Sequence, residues 1–251
     1  MRKIQIFLII FLLLLGFVFL SFSFLFQKEV YFEEVSLTEE KVMIISDLHL
    51  ESNPRNLNCI GDYLKENDIS LLIINGDLFD KMHKEEFKEE LLEEARGRLA
   101  IKEDLPCDII YILALYSHDP YLEEESKSFR ENDKEIDVLR GILKLKAEDE
   151  LFYIFHGDYV LNNIGLGLAS LINKLTSNLF YERLAKMVIG AEKEEWVMLG
   201  HSHVPGIDYE RKVANSGLWI ERIYSPTDTA ILIEVEEELE PEVTLIEIPC
   251  E

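Results

Sequence analysis

Val42-Met43-Ile44-Ile45-Ser46-Asp47-Leu48-His49 and Leu71-Leu72-Ile73-Ile74-Asn75-Gly76-Asp77-Leu78-Phe79-Asp80 follow one plan: four apolar residues, a turn, then a carboxylate. Short continuous apolar runs bounded by turn residues suit strands buried on both faces. Between the two runs, residues 56–66 have helical spacing, with Leu57, Ile60 and Leu64 on one side. A third apolar run, 109–115, ends at Ser117-His118-Asp119, and the charged stretch 85–99 before it reads as an exposed helix. Strands alternating with helices predict strand–helix–strand units and an α/β fold.

The second half continues with more strands. Residues 141–146 and 151–155 read as a hairpin around the polar turn 147–150, ending at His156-Gly157-Asp158. Residues 197–199 lead into Gly200-His201-Ser202-His203, and 213–217, 229–235 and 243–248 complete the strands. Residues 123–137 are strongly charged and read as a solvated loop or helix. Residues 159–191 break the strand pattern, with Leu171, Leu175, Leu179, Leu184 and Val188 at largely helical spacing. That segment is either helices packed on the sheet or a cap-like insertion with an apolar groove.

Residues 4–26 carry no charge and are dominated by Leu, Ile and Phe. About 20 such residues span a bilayer as a helix, and the run exceeds the apolar region of a cleavable signal. The expected organisation is therefore a membrane anchor at 1–28, an acidic linker at 29–40 and one domain at 41–251. A cleaved signal is the alternative for the first segment. Arg2, Lys3 and the terminal amine precede the run, and Lys28 follows it. The positive-inside rule then turns the domain away from the cytoplasm.

All 49 acidic residues lie after position 28, against 22 of the 25 basic ones. Such a surface repels polyanions and argues against long nucleic acid as substrate. Cys59, Cys107 and Cys250 form neither a Cys-x-x-Cys pair nor a disulfide framework, and no pairing can be nominated. No Walker or Rossmann glycine fingerprint is present.

Five of the six histidines lie in segments that follow the C-terminal ends of expected strands, where active-site loops gather. His83, among Lys81, Lys84 and Glu85, reads as a surface residue. Carboxylate and imidazole ligands in this number suit two divalent ions sharing a carboxylate. Asp47 and His49 can serve one ion, Asp77 can bridge, and His156, His201 and His203 add imidazoles. Mixed N and O ligands favour Mn, Fe or Zn over a purely oxygen-bound Mg.

The ordered set Asp47-x-His49, Gly76-Asp77-x-x-Asp80, His118-Asp119, His156 and Gly200-His201-x-His203 resembles the calcineurin-like metallophosphoesterases over residues 41–250. Val213-Ala214-Asn215-Ser216-Gly217 is similar to the Asn-x-Gly strand after that family's last motif. The resemblance implies a four-layer α/β/β/α sandwich, here preceded by a transmembrane helix. It implies that Asp47, His49, Asp77 and His203 hold one ion, and Asp77, His156 and His201 a second, with a bridging hydroxide as nucleophile. His118 would stabilise phosphoryl oxygens or protonate the leaving group. Asp119 would orient His118, and Asp80 would support the ligands without ligating.

One position departs from the family. Ser117 stands where the family places an Asn that ligates the second ion, and Tyr116 replaces a Gly. A serine hydroxyl is a shorter and weaker ligand. The expected function is a membrane-anchored phosphomonoester or phosphodiester hydrolase. The motifs look most like the UDP-2,3-diacylglucosamine pyrophosphatase branch, so a lipid-linked pyrophosphatase is the second expectation, although that branch has Arg at the position of His118. A catalytically impaired metal-binding scaffold at the membrane is the alternative from another class.

Overall fold

The computed structural model describes residues 32–37, 40–82, 84–102, 105–131, 133–158, 160, 172–173, 179–221, 225–236 and 239–250. The two opening apolar runs become β2 (Lys41–Ile45) and β3 (Leu71–Asn75), paired in parallel with Val42 opposite Leu71 and Ile45 opposite Ile74. Alternate residues of each go to opposite faces, and both faces are dry. Val42, Ile44, Leu71 and Ile73 join one apolar cluster, while Met43, Ile45, Leu72 and Ile74 join another. That is why neither run shows a polar alternation.

The first sheet has seven strands. In order they are β13 (Glu242–Glu247), β12 (Thr229–Glu234), β2, β3, β4 (Asp108–Ile112), β6 (Lys134–Leu139) and β5 (Ser126–Glu131). The second has six: β1 (Phe32–Leu37), β7 (Ile142–Ala147), β8 (Glu150–Phe155), β9 (Trp196–Leu199), β11 (Val213–Asn215) and β10 (Gly206–Asp208). The sheets face each other through Ile44, Ile73, Ile110, Leu143, Ile154 and Met198. Helices α1 (Asn58–Glu66) and α2 (Glu89–Arg98) cover the outer face of the first sheet, through Ile60, Leu64, Leu92 and Ala95. Helix α3 (Phe180–Ile189) covers the second through Tyr181 and Ala185. The expected mixed α/β fold, with helices outside two stacked sheets, is present.

Two expectations are corrected. The charged stretch 123–137 is not a solvated loop or helix. It supplies β5 and most of β6, an antiparallel hairpin at a sheet edge. Its buried side is only Ile136, Val138 and Leu139, with Phe129 packed against the core. Charges on β5 face water and block further pairing, a common treatment of an edge strand. Likewise, residues 32–37 of the expected linker pair in parallel with β7 as β1.

The anchor expected at 4–26 lies outside the described residues, as do His83 and most of 161–178. Among the described residues no helix is long and apolar enough to cross a membrane.

The C-terminus is fastened to α1. Cys59 and Cys250 form a disulfide with Cα atoms 5.5 Å apart, bridging 191 positions of sequence. Arg55 reinforces it, donating to both carboxylate oxygens of Asp228 and, at 2.8 Å, to the Cys250 carbonyl. Cys107 is buried and free. Closing so long a loop restricts the unfolded chain, so Cys250→Ser should cost about 2–5 kcal/mol in urea unfolding. Free alkylation of Cys59 and Cys250 in the native, unreduced protein would contradict this pairing.

Candidate metal centre

Strands β2, β3 and β4 run parallel, as do β8 and β9, so their C-terminal ends can deliver five loops to one place. Asp47 and His49 follow β2, Asp77 and Asp80 follow β3, and Ser117, His118 and Asp119 lie beyond β4. His156 follows β8, and His201 and His203 follow β9. The backbone there is unusual. Asp47, His49, Asp77, His201 and His203 all have left-handed φ, between 49° and 63°. At about 1 kcal/mol each, such residues together cost on the order of 5 kcal/mol, comparable to the net stability of a small domain. Tight turns that aim these side chains inward are retained despite that cost.

Close approach explains two glycines. A Cβ on Gly76, itself at φ +75°, would lie 2.4 Å from the His156 ring. One on Gly200 would meet Ser46 Oγ at 2.6 Å and Asp47 Oδ2 at 2.7 Å.

Among the described residues the ligand-type atoms fall into three groups: two share Asp77, and the third is His49, Asp80 and His118. Asp47, His49, Asp77 and His203 each offer one atom within 4.8 Å of the others, and Asp77, His156 and His201 do the same. Asp77 Oδ2 lies 3.7 Å from His49 Nε2 and 3.3 Å from His156 Nε2. Its other oxygen, Oδ1, accepts from Ser117 Oγ at 2.6 Å. Asp47 divides its work similarly. Oδ2 accepts from the Ser46 hydroxyl and the His201 N–H, whereas Oδ1 faces His203 Nε2 at 3.0 Å.

These groups fit divalent ions. His156 Nδ1 is 2.9 Å from the Asn75 carbonyl, which can only accept, so Nδ1 carries the proton. Nε2 of the neutral ring is then a lone pair, aimed at Asp77 Oδ2 and, at 3.1 Å, at His201 Nδ1. His201 Nδ1 donates or accepts there according to its tautomer, and as an acceptor it completes a set of lone pairs that suits a cation. In the ion-free protein a proton serves. Burial disfavours charge on His156, but Asp77 and Asp47 outweigh it and raise its pKa well above the usual imidazole value. Burial and that charged neighbour push His201 down to about 3. Burial raises the Asp47 carboxyl, yet His203 and His156 prevail and hold it at about 2. Among the described residues, no Lys or Arg ion pair neutralises Asp47, Asp77 or Asp158. The family pattern and this cluster suggest a dinuclear divalent metal site.

One supporting role differs from the expectation. Asp119 does not orient His118. Its carboxylate folds back to accept the backbone N–H groups of Ala114, Asp77 and Phe79 at 2.9, 2.9 and 3.1 Å, fixing the turn that carries Asp77. Burial, then the nearby Asp77 charge, raise it to about 7. Asp80 takes the orienting place: His118 Nδ1 donates to its carbonyl at 2.6 Å and lies 3.5 Å from its carboxylate. The same carboxylate is 3.3 Å from His49 Nδ1. His118, with its side chain 34% exposed, leaves Nε2 free of that bond at the rim.

Two acids went unassigned in the sequence. Asp158, buried within the quoted His156-Gly157-Asp158 segment, accepts the Tyr116 N–H and lies 3.4 Å from Ser117 Oγ. Glu182, fully buried in α3, accepts from Ser202 Oγ at 2.5 Å. Asp158 adjoins a motif and was findable; Glu182 lies in a helical pattern that gave no signal.

Residues 40–211 match the family model described as calcineurin-like phosphoesterase. No curated protein matches the chain. Among solved structures, a predicted phosphoesterase from Streptococcus pneumoniae TIGR4 is 14% identical, with 86% of this chain and 93% of that one covered and a TM-score of 0.41. The E. coli phosphoesterase Yfce is 12% identical, with 83% and 100% covered and a TM-score of 0.39. A dimetal phosphatase from Danio rerio is 9% identical, with 85% and 100% covered and a TM-score of 0.39.

The raised His156 pKa has a consequence for the ion-free protein. The stability contributed by its protonated ring is complete below the ordinary value of 6.5 and is lost as pH rises through the folded-state value. Urea midpoints of chelator-treated protein should therefore fall with pH above neutrality, and His156→Gln should flatten that fall. An equally steep dependence in the variant would count against the arrangement.

Proposed function

Because this chain belongs to the calcineurin-like phosphoesterase family, and so is a metal-dependent phosphoric ester hydrolase, we propose that it is a membrane-anchored dinuclear enzyme acting on phosphomonoesters or phosphodiesters. The observation that carries the reading is the single oxygen of Asp77 placed between two groups of ligand atoms. Asp47, His49, Asp77 and His203 would hold one ion, and Asp77, His156 and His201 the other. Bound there, two divalent ions supply Lewis-acid stabilisation of a phosphoryl group and water acidified to near-neutral pH.

The protein's own groups do the rest. Asp80 fixes the His118 tautomer through its carbonyl, which leaves Nε2 to meet a phosphoryl or leaving-group oxygen. Asp119 acts earlier, by holding the turn on which Asp77 stands. Ser117 reaches the shared carboxylate with its hydroxyl, and would support a second ion more weakly than an amide would. The nitrogen-rich ligand set favours Mn, Fe or Zn.

The apolar run 4–26 supports a single membrane pass, with residues 41–251 as the catalytic domain. The Cys59–Cys250 disulfide supports a domain outside the cytoplasm, since cytosolic thiols are kept reduced. The acidic surface favours small phosphorylated substrates over long nucleic acid.

Purified protein supplied with Mn²⁺ should hydrolyse p-nitrophenyl phosphate or bis-p-nitrophenyl phosphate. Asp77→Asn should lower the rate by more than about 100-fold, beyond the usual effect of a residue that merely supports a ligand. No turnover by metal-loaded protein, with Asp77→Asn indistinguishable, would leave a metal-binding scaffold as the better reading. Ser117→Asn should tighten the second ion by about tenfold. Unchanged affinity would mean that Ser117 takes no part in that site.

A further inference from the structure

Ser202 stands between His201 and His203 and points the opposite way, into the protein. Its flanking residues have φ of 63° and 60°, so the two imidazoles are presented from a backbone that does not relax there by itself. Something must hold the loop. The His201 N–H donates to Asp47 Oδ2 at 3.0 Å on the ligand side, and that carboxylate belongs to the site itself.

On the far side the holder is a buried acid. Glu182 Oε1 accepts from Ser202 Oγ at 2.5 Å and from Asn215 Nδ2 at 2.9 Å, and Oε2 accepts from Asn173 Nδ2 at 2.7 Å. Asn215 also reaches back to the loop, donating to the Gly200 carbonyl at 2.7 Å. Glu182, Ser202, Asn215 and Asn173 are all fully buried. A carboxylate so placed costs stability unless its acceptor sites are filled, and here three side chains fill them. The adjacent Tyr181 donates from its hydroxyl to the Gly157 carbonyl at 2.5 Å, and its ring lies 6.2 Å from that of His201. One turn of α3 thus grips the loop after β8 and the loop after β9, which together carry His156, His201 and His203.

We infer that Glu182 is a positioning residue of the metal centre, acting through Ser202 to hold His201 and His203 in their ion-binding orientation. This rests on the dinuclear reading of the site. The residue touches neither ion nor substrate. Its effect is preorganisation: with Glu182 in place the loop arrives already turned, and ion binding does not have to impose the left-handed backbone. A glutamine of the same length keeps one acceptor oxygen but sets an NH₂ against at least one amide donor. Glu182→Gln therefore loosens the grip without opening a cavity.

The test is titration of the chelator-treated full chain with Mn²⁺ by calorimetry, alongside urea unfolding of the ion-free protein. Glu182→Gln should weaken Mn²⁺ binding roughly 10–100-fold, the range for residues that orient ligands. Ser202→Ala, which removes only the link between acid and loop, should weaken it comparably, and the double variant should add little more. Global destabilisation alone would shift the unfolding midpoint and leave the affinities of folded protein unchanged. Wild-type affinity in Ser202→Ala would overturn the inference, even if Glu182→Gln does not fold. Wild-type protein that takes up no Mn²⁺ would instead defeat the dinuclear reading, and this inference with it.

Discussion

Everything at the centre depends on one buried carboxylate, Asp77, with no Lys or Arg ion pair among the described residues to neutralise it. Burying an ionised acid costs several kcal/mol unless opposite charge and hydrogen bonds compensate. Asp77 receives a backbone-fixed turn from Asp119, a hydroxyl from Ser117, and imidazoles from two sides. Burial opposes its ionisation, but His156, His49 and His201 together hold its pKa well below the usual range. The site is built to concentrate negative charge and lone pairs. Divalent cations are the partners that such a collection fits.

The two-sheet architecture supplies the convergence. Each of the five loops begins with a buried residue at the end of its strand (Ser46, Gly76, Leu113, His156 and Gly200), which has little freedom. The turns store backbone strain at the ligand positions, and the surrounding network repays it. Asp47 Oδ2 takes the His201 N–H, Asp119 takes the Asp77 N–H, and Glu182 takes the Ser202 hydroxyl. The first of these contacts ties a ligand residue of one sheet to a ligand loop of the other.

The strands β2, β3, β4, β8 and β9 were legible because continuous apolar runs admit few other readings. The Asp and His residues after them were legible because chemistry restricts which side chains hold a cation. Supporting roles were not. Asp119 follows His118 directly in the chain, and adjacency suggested a partnership. In three dimensions that turn sends Asp119 inward to backbone N–H groups, while Asp80 comes alongside His118. Glu182 could not be seen at all, since a buried acid in an amphipathic helix looks like a solvated one. The edge strands β1 and β5 were hidden for a related reason, because exposed edges carry charges that imitate a loop.

The central claim is that two ions share Asp77. Crystals of the protein grown with Mn²⁺ and measured near the manganese absorption edge test it directly. Two anomalous peaks about 3.5–4 Å apart, on either side of Asp77 Oδ2, are the predicted result. A map with no peak at Asp77, or with ions bound only elsewhere, would contradict it.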